Sequence, residues 1–218
     1  MSLIVVEGLD GSGKGTQTKL LFDKLSKEHK VSHISFPDYN CDSSALVKMY
    51  LSGQFGKDPS DVNAYAASTF YAVDRFASYK QFWKEDYENG VIILADRYAT
   101  SNMIYQTVKL PENEREEFIR WVEEFEYSKL VLPRPDLVIY LDMLPEISQK
   151  LLTGRYNGDN TKKDIHESNV AFLKNCRESA LYAASLCSWK VIKCYEGENP
   201  LSIEDIHEKV LAAVLEAI

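Results

Sequence analysis

Read for its apolar and polar positions alone, the chain alternates short aliphatic runs with longer stretches of helical period. The runs Leu3–Glu7, Val31–Phe36, Val91–Ala95, Leu137–Leu141 and Lys190–Tyr195 are mostly Val, Ile and Leu with little polar alternation. A strand apolar on both faces is one that helices cover from both sides, so these five predict a parallel sheet. Between them the period predicts helices over Lys14–Glu28, Ser43–Leu51, Pro59–Glu88, Glu112–Tyr127, Asp164–Cys187 and Ile203–Ala217. In the fifth helix Ile165, Phe172, Leu173, Cys176, Ala180, Ala184 and Cys187 fall on one face. In the third, Val62, Tyr65, Ala66, Thr69, Val73, Phe76 and Ala77 predict a core stripe, which puts Tyr71, Arg75, Ser78 and Phe82 on the opposite face. Such alternation defines an α/β fold of three layers, a five-stranded parallel sheet flanked by helices. With 218 residues and no linker or internal repeat, the expected organisation is one domain over 1–218. The polar stretch Thr153–Lys163 predicts a mobile surface loop between two helices.

The junction of the first strand and first helix changes this picture. It reads Gly8-Leu9-Asp10-Gly11-Ser12-Gly13-Lys14-Gly15-Thr16-Gln17. This is a phosphate loop in its required context, a strand before it and a helix after it. Glycines at 8, 11 and 13 let backbone N–H groups converge on a phosphate, the helix N-terminus adds partial positive charge, and Lys14 adds a full one. The strict pattern has a hydroxyl directly after the Lys, where this chain has Gly15, with Thr16 one place late. A Mg²⁺ ion would then meet the protein through water or through Thr16. That variation occurs in nucleoside monophosphate kinases, and no guanine-reading N-K-x-D motif is present to suggest a GTPase.

A second candidate lies at the end of the third strand, where Asp96, Arg97 and Tyr98 follow Val91–Ala95. In open α/β sheets ligands bind beyond the carboxyl ends of the strands, so Asp96 and Arg97 belong to the crevice of the phosphate loop. There Asp96 would orient Mg²⁺ and its waters, and Arg97 would clamp phosphate oxygens. Taken alone, the pair reads equally well as an ion pair capping the next helix. Tyr71 and Arg75, four residues apart, suit a planar base plus an anion, although by itself that face also reads as solvated.

Charge and cysteines mainly exclude. A formal net charge of −8 argues against a nucleic-acid or anionic-membrane surface. Cys41, Cys176, Cys187 and Cys194 have neither C-x-x-C spacing nor accompanying histidines, and read as free thiols in a reducing compartment. Without a leader or a membrane-length apolar run, the expectation is a soluble cytoplasmic protein.

Taken together, the residues resemble the thymidylate kinase family of phosphate-loop nucleoside monophosphate kinases over nearly the whole chain. The resemblance rests on Gly8–Thr16, Phe36-Pro37-Asp38, the helix reaching Arg75, the string D-R-Y-x-x-S-x-x-x-Y-Q at Asp96–Gln106, and P-D-L-x-x-Y-L-D-x-x-P-E at Pro135–Glu146. It implies a P-loop NTPase fold with a short lid at about residues 153–166. It also implies in-line transfer from ATP with Mg²⁺ to dTMP, a step of dTTP biosynthesis, by a homodimer. Gly8, Asp10, Gly11, Ser12, Gly13, Lys14, Gly15, Thr16 and Gln17 would bind ATP, with Thr16 and Asp96 reaching the metal through water. For dTMP the resemblance implies Phe36 and Pro37, Tyr71 stacking on thymine, Arg75 on the base edge, and Ser101 and Gln106 on the base. Tyr105 would pack against the deoxyribose and Asp10 bond its 3′-hydroxyl, while Arg97 would bridge donor and acceptor phosphates. Family members often carry an Arg after Phe-Pro for the acceptor phosphate; here Asp38 and Tyr39 follow, leaving that role to Arg97 or Lys48. Some carry a basic residue at the position of Gly11, whereas this chain would take its cation from lid residues Arg155, Lys162 and Lys163. Kinases for another pyrimidine monophosphate or a deoxynucleoside, and a non-catalytic ATP-binding module, are the competing readings.

Overall fold

Every strand of the main sheet runs parallel, in a computed structural model that describes residues 2–155 and 170–218, the side chains of 153–155 and 170 excepted. The strands are β1 (Ser2–Gly8), β2 (Val31–Ser35), β3 (Ile92–Asp96), β4 (Leu137–Asp142) and β5 (Lys190–Lys193), in the order β2-β3-β1-β4-β5. In β1, Leu3 and Val5 enter one core, with Trp83, Tyr98, Phe118 and Cys176, while Ile4 and Val6 enter the other, with Leu21, Ile206, Val210 and Val214. The expected doubly covered sheet is thus present, and its aliphatic runs supply both interfaces.

The helices are α1 (Lys14–Leu25), α2 (Ala45–Leu51), α3 (Ala64–Ser78), α4 (Lys84–Glu88), α5 (Thr100–Tyr105), α6 (Arg115–Glu123), α7 (Pro145–Arg155), α8 (Val170–Leu186) and α9 (Ile203–Leu215). A small hairpin, β6 (Tyr195–Glu196) with β7 (Asn199–Pro200), precedes α9. β1 lies at the centre of the sheet, pairing with β3 on one side and β4 on the other, with Val6 opposite Asp96 and Gly8 opposite Leu141. The ends of β1 and β3 therefore deliver the phosphate loop and Asp96-Arg97 to one crevice.

Several elements depart from the periodicity. The long helix expected over Pro59–Glu88 is a 3-10 turn at Pro59–Asp61, then α3, a π-helical turn at Tyr79–Trp83, and α4. Asn63 starts α3 by accepting from the Ala66 N–H at 2.8 Å, the orphan-donor capture that favours Asn at this position. A second π turn, Glu124–Lys129, follows α6. Helices α5 and α7 carry no strong amphipathic period and escaped the pattern; Pro145 at the first position of α7 is the start signal that was available. The start of the expected surface loop, Thr153–Arg155, is the last part of α7, and the rest of that loop lies outside the described residues.

The facing of α3 is also corrected. Its buried residues are Ala64, Ala67, Ser68, Ala72, Asp74, Arg75 and Ser78, whereas Tyr65, Val73 and Phe76 of the expected core stripe are exposed. The helix turns small and polar residues inward because its inner face borders a polar cleft as well as the core. In α8 the expected stripe holds, with Leu173, Cys176, Ala180 and Ala184 buried. All four cysteines are free thiols. Among the described residues no helix is long and apolar enough to cross a membrane.

Candidate active site

Beyond the carboxyl ends of the strands lies a cleft of about 1620 Å³, larger than a usual single-ligand pocket. Its floor is the phosphate loop. Gly13 caps α1 in the left-handed region, with φ 89°, a conformation that glycine adopts without a Cβ penalty. A Cβ on Gly11, also left-handed at φ 81°, would lie 2.5 Å from the Ser148 carbonyl oxygen of α7. Backbone occupies that space, so no side chain fits at position 11. Lys14 is buried, its Nζ donating to the Leu9 carbonyl at 2.9 Å and lying 3.9 Å from Asp10 Oδ1. Burial, and next the Arg97 charge, push its ammonium below the ordinary value, while Asp10 and Asp96 act the other way. An anion in the cleft would relieve the same imbalance.

Asp10 and Arg97 join the loop to the far wall. An Arg97 Nη2–H donates to Asp10 Oδ1, and the Tyr105 hydroxyl donates to Asp10 Oδ2 at 3.2 Å. The Arg97 guanidinium also reaches the Tyr105 hydroxyl at 3.3 Å and the Ser101 hydroxyl at 3.4 Å. Burial works against its charge, yet Asp10 holds Arg97 well above its ordinary pKa. Arg97 adopts φ 70°, a left-handed backbone at a non-glycine residue that persists where surrounding structure over-determines it. Beside the loop, Asp96 Oδ2 lies 3.4 Å from where a Cβ of Gly15 would stand.

Glu7 belongs to no motif of the sequence. It is fully buried at the end of β1 and accepts from Thr100 Oγ1 at 2.7 Å, Ser101 Oγ at 2.9 Å and the Tyr98 N–H at 3.2 Å. Burial raises its carboxyl pKa, against Arg97 and the two hydroxyls. Glu7 therefore anchors the first turn of α5, and with it Ser101. An acid interrupting an aliphatic strand was the signal, but its partners stand more than ninety residues away.

Phe36, Pro37, Tyr71, Arg75, Ser101, Asn102, Tyr105 and Gln106 share the other wall. Tyr71 meets Tyr50 edge-on at a centroid distance of 6.4 Å. Gln106 is buried, and its Oε1 has no hydrogen-bond partner among the described residues, an orphan acceptor on a cleft wall. Arg75 does not project freely. Its Nε and Nη2 donate to Glu126 at 2.6 and 2.5 Å, forming a buried bidentate pair. Nearby, Asp74 accepts from the Asp38 N–H at 2.8 Å and from Ser43 Oγ at 2.6 Å. Asp38 stays off the cleft lining, whereas Lys48 of α2 is part of it. At the opposite end Gln17, Leu20, Met143, Leu201, Ile203 and Ile206 line the cleft, and the Gln17 amide donates to the Ile203 carbonyl at 2.9 Å. Of the expected lid cations, Lys162 and Lys163 lie outside the described residues, as does the Arg155 side chain.

A phosphate loop at the centre of a parallel sheet, facing an arginine-bearing wall across a cleft with room for two ligands, defines a phosphate-loop nucleotide kinase. The thymidylate kinase family model matches residues 6–210, and the chain belongs to that family, which makes it a phosphotransferase. It is 32% identical to the thymidylate kinase of Mycobacterium tuberculosis (strain ATCC 25618 / H37Rv), over 83% of this chain and 84% of that one. It is 29% identical to the thymidylate kinase of Schizosaccharomyces pombe, over 97% and 90%, and 29% identical to a probable thymidylate kinase of Thermococcus gammatolerans, over 99% and 96%.

Proposed function

We propose that this chain transfers the γ-phosphoryl group of ATP to the 5′-phosphate of dTMP, giving dTDP and ADP. The observation that carries the reading is the Asp10–Arg97 pair, which ties the phosphate loop to the wall bearing Tyr71, Arg75 and Tyr105 in one cleft. ATP lies with its phosphates against the backbone of Gly11–Thr16, and its base and sugar towards Gln17, Leu201 and Ile206; Gly8, buried at the end of β1, supports the loop from below without lining the cleft. Ser12 supports this, being buried with no partner for its hydroxyl among the described residues.

The acceptor phosphate is already an anion, so the protein needs no side-chain nucleophile, and catalysis is positioning plus charge stabilisation. Lys14 moves from the Leu9 carbonyl to the donor phosphates, and Arg97 turns its remaining N–H groups towards the acceptor phosphate. Lys48 adds a cation on the acceptor side. Asp10 takes the 3′-hydroxyl, Tyr105 crowds the 2′ position, Tyr71 stacks on the base, and Arg75, Ser101 and Gln106 line its edge. For Mg²⁺, the Asp96 carboxylate beside Gly15 and the Thr16 hydroxyl are the hard oxygen donors at this end of the loop, the kind that ion takes. Bound with ATP, Mg²⁺ neutralises charge on the phosphate oxygens.

The segment 153–166 acts as a lid of a single 1–218 domain, with Arg155, Lys162 or Lys163 supplying the transition-state cation that the blocked position 11 excludes from the loop. Exposed Tyr65, Val73 and Phe76 on α3 support pairing of two copies, and the free thiols support a cytoplasmic site of action.

ADP release measured against dTMP, dUMP, dCMP, UMP, AMP and thymidine tests the reading, with dTMP expected to be preferred. Preference for thymidine would make the chain a nucleoside kinase, and no turnover at all would make it a binding module.

A further inference from the structure

Glu126 does not line the cleft, yet two groups that do depend on it. It is fully buried, and its Oε1 accepts from Arg75 Nη2 at 2.5 Å and from Asn102 Nδ2 at 3.0 Å, while Oε2 accepts from Arg75 Nε. The second hydrogen of the Asn102 amide goes to the Ser68 carbonyl at 3.3 Å. Both neighbours of that amide can only accept, so its nitrogen must face them and Oδ1 must be the end left over. Arg75 has five N–H bonds; Glu126 takes two and the Tyr98 carbonyl, at 3.4 Å, takes a third. At the cleft the pair therefore offers an acceptor from Asn102 and a donor from Arg75. Gln106, whose Oε1 has no hydrogen-bond partner among the described residues, is not held by Glu126 in this way.

We propose that Glu126 is a positioning residue for base specificity: by holding Arg75 and Asn102 it fixes an adjacent donor and acceptor that match a pyrimidine with a 4-keto group and an N3–H. A 4-amino pyrimidine carries the opposite pattern, a donor at position 4 and an acceptor at N3, and meets donor with donor. The inference rests on the dTMP reading of the same cleft. It separates thymine and uracil from cytosine and is indifferent to the 5-methyl group. The π turn that carries Glu126 adds weight, because such turns insert a residue into a helix and re-aim side chains at functional sites.

The test compares dTMP with 5-methyl-dCMP, which differs only at position 4 and N3, and with dUMP. Wild type is expected to favour dTMP over 5-methyl-dCMP by about 10⁴-fold in kcat/KM, the scale on which mismatched buried polar groups reject an analogue. Glu126→Gln leaves one acceptor atom where three N–H bonds converge, so one of the held groups must turn. The dTMP to 5-methyl-dCMP ratio should then fall at least about tenfold, mainly through KM for dTMP, with the dTMP to dUMP ratio unchanged. A folded variant that keeps the first ratio, or loses both together, overturns the proposal. Should Glu126→Gln fail to fold, Asn102→Leu, which leaves the Arg75–Glu126 pair intact, decides: the first ratio falls if the polarity is real and stays if it is not. Wild type that fails to phosphorylate dTMP would instead remove the functional reading itself.

Discussion

The two halves of the cleft are built in opposite ways. The half proposed for the donor is one continuous turn, Gly8 to Gln17, whose groups are mostly backbone N–H and whose geometry follows from glycines at a strand-to-helix junction. The half proposed for the acceptor is assembled from α2, α3, α5 and the residues after β2, with Glu7 and Glu126 holding the side chains from behind. A phosphate can be bound by local backbone alone, because every phosphate looks the same to an N–H group. A base has to be told apart from other bases, which takes side chains of fixed polarity, and those need supports drawn from distant parts of the chain.

The largest effects should come from breaking what the halves share. Lys14→Met and Arg97→Met are each expected to lower kcat by at least about 10³-fold, in the range seen for phosphate-stabilising cations, with the circular dichroism melt retained. Near-normal turnover by a folded variant would take that residue out of the mechanism. Arg155→Ala should reduce kcat by more than it raises KM for dTMP; the reverse would mean that Arg155 serves ground-state binding only.

Lys48→Met sharpens the contrast on the acceptor side. KM for dTMP should rise about tenfold, the weight of one charge-assisted contact, while inhibition by thymidine, which lacks the phosphate, stays constant. Equal losses for both ligands would assign Lys48 to the base or the fold. Lys109 lies behind that wall, donating at 2.9 Å to both the Tyr50 hydroxyl and the Val62 carbonyl. Burial lowers its pKa to about 8 from an ordinary 10.5. Between those values the unfolded chain binds more protons than the folded one, so this group makes stability rise with pH. Thermal melts at pH 7.5 and 9.5 should show wild type gaining on Lys109→Met at the higher pH, and a constant gap would refute the burial argument. The smallest effect is expected at Val131, an exposed β-branched residue at φ 55°. Val131→Gly should raise Tm by about 2–4 °C, from relief of roughly 1 kcal/mol, without changing kcat.

The same contrast explains what could be read from the residues. The sheet and the phosphate loop were legible because each is a contiguous pattern. Family likeness supplied Tyr71 and Arg75, but the facing of α3 runs against its apolar period, since Tyr65, Val73 and Phe76 are large and apolar yet lie outward. Glu126 stands 51 positions from Arg75 and Glu7 stands 91 from Tyr98, and no local period encodes such pairings. The π turns at Tyr79–Trp83 and Glu124–Lys129 further shift the helical phase on which such counting depends.

The Ser148 carbonyl lying where a Cβ of Gly11 would go has a consequence for anyone redesigning the enzyme. Grafting a cation into the loop is not a single substitution here, because the backbone of α7 would have to retreat first. Evolution faces the same obstacle: a side chain at position 11 requires coordinated changes in the loop and in α7, two segments far apart in the chain, and either change made alone leaves the other in the way.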